Sequence, residues 1–192
     1  MRVIAHNDKP VLYLHTPAEW ERWLEEHGET SPGVRLQMIK KASSKPGFRY
    51  GEALDVALCF GWIDGQMNSV DQDFVLQSFT PRRPRSVWSQ RNREYIARLT
   101  DEGRMRPAGL AQVEAAKADG RWDAAYRVST AQVPDDLRAA LDASPAAAEF
   151  FATLKSQQRF AFLFRLDGAK RAETRVARIA KYVEMLERGE TL

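Results

Sequence analysis

The sequence is poor in the residues from which most recognisable active sites are built. It has one cysteine, Cys59, in 192 residues, which excludes an internal disulfide and fits a reducing compartment. Its histidines, His6, His15 and His27, stand apart from Cys59 and from carboxylates at zinc-ligand spacing, and no H-E-x-x-H occurs. No metal and no cofactor is therefore expected. There is no G-x-S-x-G elbow, no dinucleotide-binding glycine pattern and no G-x-x-x-x-G-K-[ST] loop. The segment 42–47 holds two serines, a lysine and a Pro-Gly pair, but without that spacing it reads as a turn. The polar run Asn68 to Asp73 contains a D-x-D pair but not the full calcium-loop pattern, so it too reads as a loop. No apolar run approaches the roughly 20 residues of a membrane helix. The opening MRVIAHNDKPVLYLHTP is too short in apolar residues for a secretory h-region, and a soluble, cytoplasmic protein is expected.

The chain does hold enough apolar material for a core, 44% by composition, which argues against wholesale disorder. Val11 to Leu14 reads as a short strand. Thr16-Pro17-Ala18-Glu19 is a capping box with proline at the first helical position. Trp20, Trp23 and Leu24 then share one face of a helix that stops near Gly28, the spacing of a core stripe. Val34 to Met38 alternates as a half-buried strand does. Glu52 to Phe60 is a helix, with Cys59 in it as a small buried hydrophobe and Gly61 ending it. Trp62-Ile63 starts a strand in which Asp64-Gly65 is a turn or bulge, and Phe74 to Phe79 returns antiparallel to it. A Pro-rich connector, Thr80 to Arg85, leads to a helix capped by Ser86 or Ser89. Another helix covers Leu110 to Ala118, and Arg121 to Tyr126 is expected to pack on the sheet. Residues 134–188 read as helices, with Phe160, Phe162, Leu163 and Phe164 as core. The fold class is α+β: a small, mostly antiparallel sheet with helices in residues 1–126, and an all-helical region, residues 127–192, packed against it as one compact unit.

Charge is spread unevenly. Residues 1–81 carry 8 Lys and Arg against 11 acids, residues 82–106 carry 8 Arg against 3, and residues 107–192 carry 13 against 12. Nearly all of the chain's net +3 therefore sits in Arg82 to Arg106. Guanidinium groups match phosphate and carboxylate geometry, and arginines beside aromatics resemble a nucleic-acid platform. The binding residues expected are Arg82, Arg83, Arg85 and Arg91, with Trp62, Asp64 and Trp88. The plain alternative is a solvated face with internal pairs such as Glu94–Arg98 and Arg98–Glu102, its aromatics turned into the core. Lys170, Arg171, Arg175, Arg178 and Lys181 form a second basic surface. An anionic ligand or a protein partner fits the first surface and nucleic acid fits both. A small-metabolite enzyme with its pocket at the Trp62–Asp64 turn is a further alternative, with Asp55 and Asp64 as acid/base candidates; no catalytic residue is assigned.

The blocks EALDVALCFGWIDG, FTPRRPRSVWSQRN, EGRMRPAGL and AKADGRWDAAY resemble the YdeI/OmpD-associated family. So does the ending with PDDLRAAL, SPAAAEFF, ETRVARI and Leu-Glu-Arg-Gly. The resemblance spans roughly residues 11–190, with the OmdA region at roughly 130–190. It implies a role in protection against bacteriocins and cationic antimicrobial peptides and brings no agreed catalytic residues. A net-basic chain repels a cationic peptide, so any protective role is expected to run through an intracellular partner.

Overall fold

The computed structural model describes residues 9–126 and 131–192, and the chain divides into two compact units, Met1–Ala125 and Tyr126–Leu192. His6 lies outside the described residues. The first unit runs β1 (Val11–Leu12), α1 (Pro17–His27), β2 (Val34–Ile39), α2 (Tyr50–Cys59), β3 (Trp62–Ser69), β4 (Phe74–Pro81), α3 (Gln90–Asp101) and α4 (Pro107–Ala118). Its four strands lie in the order β1-β2-β4-β3, with only the β1–β2 pair parallel. The second unit holds α5 (Asp135–Asp142), α6 (Pro145–Thr153), α7 (Ser156–Asp167) and α8 (Ala172–Glu187). The protein is α+β.

Local chemistry explains the element starts. Thr16 Oγ1 accepts from Glu19 N at 3.2 Å, and a Glu19 carboxylate oxygen accepts from Thr16 N at 3.3 Å, satisfying two donors that the first turn of α1 leaves open. In β2, Val34, Leu36 and Met38 belong to the core, while Arg35, Gln37 and Ile39 point to the opposite face, as strand alternation requires. The strand runs one residue past Met38 because Ile39 pairs with Phe74. The strand pairs Asp64↔Phe79 and then Met67↔Gln77, leaving Gly65 and Gln66 opposite Ser78. The Asp64-Gly65 irregularity is thus a β-bulge, and β3 continues to Ser69, so the hairpin loop is shorter than the polar run suggests. Ser89 caps α3, its Oγ accepting from Asn92 N at 3.1 Å. Two helices start earlier than the apolar periodicity alone indicates. Helix α2 begins at Tyr50, with Glu52 accepting from Arg49 N at 2.8 Å, and α4 begins at Pro107.

Helix α2 is the hub of the first unit. Ala53, Leu54, Val56, Ala57, Leu58 and Cys59 are all buried in it, and it packs against α1, α3, α4 and β3. Near its end, Gly61 takes a positive φ of 74°, which lets the chain turn from the helix into β3. Trp122 packs on Trp88, ring centroids 4.9 Å apart, so the aromatic segment after α4 meets the α3 side of the core.

In the second unit Leu137, Leu141, Phe151, Phe162, Leu166 and Tyr182 are among the buried residues of a separate core. The run of phenylalanines divides by helical period. Phe162 and Leu163 are buried, whereas Phe164 is 42% exposed and Phe160 is half-buried.

Candidate functional site

Three of the residues expected to contact a ligand are structural. Trp62 is buried: its Nε1 donates to Gly28 O at 3.1 Å, and its ring meets Trp20 and Trp23 edge-on at 6.0 and 5.8 Å. Trp88 is equally buried, and the guanidinium carbon of Arg82 lies 3.7 Å from its ring centroid. Arg82, 4% exposed, donates from Nη1 to Val87 O at 3.0 Å. The proline-rich connector does not force every arginine outward. Arg82 N donates to Gly61 O at 3.0 Å, which prolongs sheet-like pairing one residue beyond β4 and turns the side chain inward. Arg82→Glu is accordingly expected to cost about 3 kcal/mol or more, from a desolvated cation–π contact of about 2 kcal/mol and a carbonyl stripped of its donor. Urea unfolding measures this, and an unshifted midpoint would refute the buried role.

Arg83 and Arg85 are exposed. A short turn presents them: Arg83 N donates to Ser86 Oγ at 3.1 Å and Ser86 N to Arg83 O at 2.9 Å. Other arginines of the cluster are neutralised. Arg98 lies 2.6 Å from Asp55 and 2.9 Å from Glu102, Arg104 lies 3.1 Å from Glu102, and Arg106 lies 2.6 Å from Glu21. Arg93 donates to Trp122 O at 2.9 Å. Among the described residues Arg83 and Arg85 form no ion pair. Burial, and then the charge of Arg83, pull the Lys9 ammonium below its usual range, so two cations sit near each other here at an electrostatic cost.

Asp64 and Arg91 meet elsewhere, through two residues that sequence reasoning missed. Tyr50 Oη donates to Asp64 Oδ2 at 2.9 Å. Arg91 lies 5.6 Å from the Tyr50 ring centroid and 5.4 Å from that of Tyr95, and its Nη2 donates to Tyr95 Oη at 3.3 Å. Burial, then the negative charge of Asp64 and its hydrogen bond, push the Tyr50 phenol well above its ordinary range. Tyr50 is thus a fixed donor rather than a base. The Arg91–Tyr95 pair is visible as i,i+4 spacing; the Tyr50–Asp64 pair spans 14 positions and has no local signal. The cleft that reaches Tyr50 is lined by Ile39, Lys41, Arg49, Tyr50, Gly51 and Glu52 and does not take in Asp64. Cys59 is no nucleophile, since burial pushes its thiol up to about 11. Among the described residues no three His, Cys, Asp or Glu side chains gather as a metal-binding group, and no helix is long and apolar enough to cross a membrane.

Residues 130–189 match the family described as Bacteriocin-protection, YdeI or OmpD-Associated. The chain thus carries a domain of the YdeI/OmpD-associated family in its C-terminal third. Residues 12–112 of this YdeI/OmpD-associated protein, more than half of its length, belong to a domain of unknown function (DUF8412). No curated protein and no solved structure matches it.

The second basic surface of the YdeI/OmpD-associated chain is also partly structural. Arg175 donates to both Asp136 carboxylate oxygens, at 3.0 Å from Nη2, and to Leu166 O at 3.2 Å. Arg178 donates to Arg165 O. These two side chains satisfy carbonyls in the last turn of α7, where helices leave acceptors open and favour positive charge. Lys170, Arg171 and Lys181 remain exposed.

Proposed function

We propose that this YdeI/OmpD-associated protein is a non-enzymatic, cytoplasmic binding protein that takes an anionic group of a ligand or protein partner at Lys9, Arg83 and Arg85. One observation carries the reading. Arg83 and Arg85 are exposed on a short turn without an ion pair among the described residues, next to a lysine whose ammonium is depressed. A bound anion would relieve that repulsion, and guanidinium groups match phosphate and carboxylate geometry. The buried Arg82–Trp88 stack behind the turn supplies a rigid support. The family description points to bacteriocin protection. With a net charge of +3 the chain repels cationic peptides, so protection of that kind would act through an anionic partner inside the cell.

Titration with inorganic pyrophosphate, followed by tryptophan fluorescence, tests the reading. Arg83→Glu with Arg85→Glu is expected to abolish the response. Exposed substitutions usually change stability by within about 0.5 kcal/mol, so the melting temperature should hold within about 2 °C. An equal response in the double variant would refute the site. The half-buried Asp64, held by Tyr50, is the one feature favouring a small-molecule enzyme instead. A metabolite that stabilises the wild type but not Asp64→Asn would decide for that second reading.

A further inference from the structure

Once internal pairing is removed from the count, the densest uncompensated positive charge lies in the C-terminal unit. Residues 155–181 hold eight Lys and Arg and two acids, a net of +6, against +5 for residues 82–106. Arg175 and Arg178 are held by Asp136 and by α7 carbonyls. The other six, Lys155, Arg159, Arg165, Lys170, Arg171 and Lys181, are all exposed, and among the described residues none forms an ion pair. The Arg178 bond to Arg165 O brings the end of α7 beside the first turns of α8. Arg165, Lys170, Arg171 and Lys181 therefore belong to one region.

Aromatic rings adjoin this charge. Tyr126 stacks on Phe160 with centroids 4.8 Å apart and planes inclined by 25°, and Phe164 lies 5.4 Å from Tyr126 and 5.6 Å from Phe160. Phe164, which precedes Arg165, is the exposed member at 42%. A buried aromatic serves the core; an exposed one, beside two more rings and followed by an arginine, offers ring surface for contact. Charge alone would suit any polyanion. Charge with an exposed ring fits unpaired bases, which stack on aromatics while their phosphates meet lysine and arginine. A membrane surface fits less well, because it needs a continuous apolar helix face, and Phe164 and Val176 are the only large apolar side chains exposed among the described residues of α7 and α8.

We infer that the α7–α8 region of the C-terminal unit binds single-stranded nucleic acid, with Phe164 stacking on a base and Arg165, Lys170, Arg171 and Lys181 contacting the phosphates. The inference is independent of the anion site at Arg83 and Arg85.

The test is the fluorescence anisotropy of a labelled oligodeoxythymidylate titrated with the full chain at several salt concentrations. Binding should weaken linearly in log salt. Lys170→Ala with Lys181→Ala should reduce the slope by about 1.4, roughly 0.7 for each single-strand phosphate no longer neutralised. Phe164→Ala should weaken binding roughly tenfold while leaving circular dichroism unchanged. Arg83→Glu with Arg85→Glu should leave affinity and slope as they are. Absence of binding at low salt would overturn the inference, as would loss of binding in the Arg83/Arg85 variant with none in the Phe164 variant. Binding to phosphatidylserine vesicles but not to the oligonucleotide would overturn it in favour of a lipid surface.

Discussion

Trp62→Ala is expected to lower the stability of the N-terminal unit by about 3–5 kcal/mol, the usual cost of deleting a buried tryptophan. Trp62 is 2% exposed and meets two other tryptophans edge-on, an arrangement that adds about 0.5–1.5 kcal/mol per pair beyond area burial. Its Nε1 bond to Gly28 O also satisfies a carbonyl at the end of α1, tying that helix to the first residue of β3. Trp62→Phe separates the two contributions. It retains most of the ring but leaves Gly28 O without its donor, so a smaller loss of about 1–3 kcal/mol is expected. Urea unfolding of both variants reports the difference. If the alanine variant unfolded at the wild-type midpoint but lost pyrophosphate binding, Trp62 would be a ligand contact after all and its place in the core would be wrong.

The residues that are legible in the sequence and those that are not differ in the range of the interactions that place them. Thr16 and Glu19 satisfy each other within one turn, so the sequence pattern alone locates the start of α1. Val34, Leu36 and Met38 alternate because one sheet face is buried, and the Asp64-Gly65 pair marks in the sequence the place where β3 takes an extra residue. The charge cluster misleads because acidic partners of its arginines lie far along the chain, Asp55 for Arg98 and Glu21 for Arg106, and because the nearby Trp88 ring takes Arg82 into the core rather than leaving it on the surface. A sum over residues 107–192 likewise hides the basic stretch at 155–181, since the acids of α5 and α6 and of the end of α8 cancel it numerically, while among the described residues Asp136 alone of them pairs with it, at Arg175. Tyr50 is hidden for the same reason. Only the packing of α2 on β3 brings its hydroxyl to Asp64.

Gly109 supplies a second large effect, opposite in sign to what helix propensity implies. It lies in the first turn of α4, and alanine in a helix is ordinarily better than glycine by about 1 kcal/mol. Here a Cβ would stand 2.2 Å from Cys59 O, 2.8 Å from Cys59 C and 2.9 Å from Leu58 O. All three are backbone atoms at the end of α2, so no side-chain rotation can relieve the clash. The same Cys59 carbonyl accepts from Arg106 N at 3.1 Å, holding the start of α4 in place, and Ala108 O closes on Gly61 from above: a Cβ there would sit 3.0 Å from it. Relief therefore requires α4 to lift off α2 and give up that hydrogen bond. Gly109→Ala is expected to destabilise by about 3 kcal/mol or more, at or beyond the upper end of ordinary overpacking. Gly51, in the first turn of α2, is the matched control, because nothing lies within 4 Å of a Cβ there. Gly51→Ala should stabilise by about 0.4–1 kcal/mol through the entropy of the unfolded chain. Denaturant midpoints moving in opposite directions for the two variants would establish that the α2–α4 approach, rather than helix propensity, decides position 109; a gain at both would show that α4 can yield without loss.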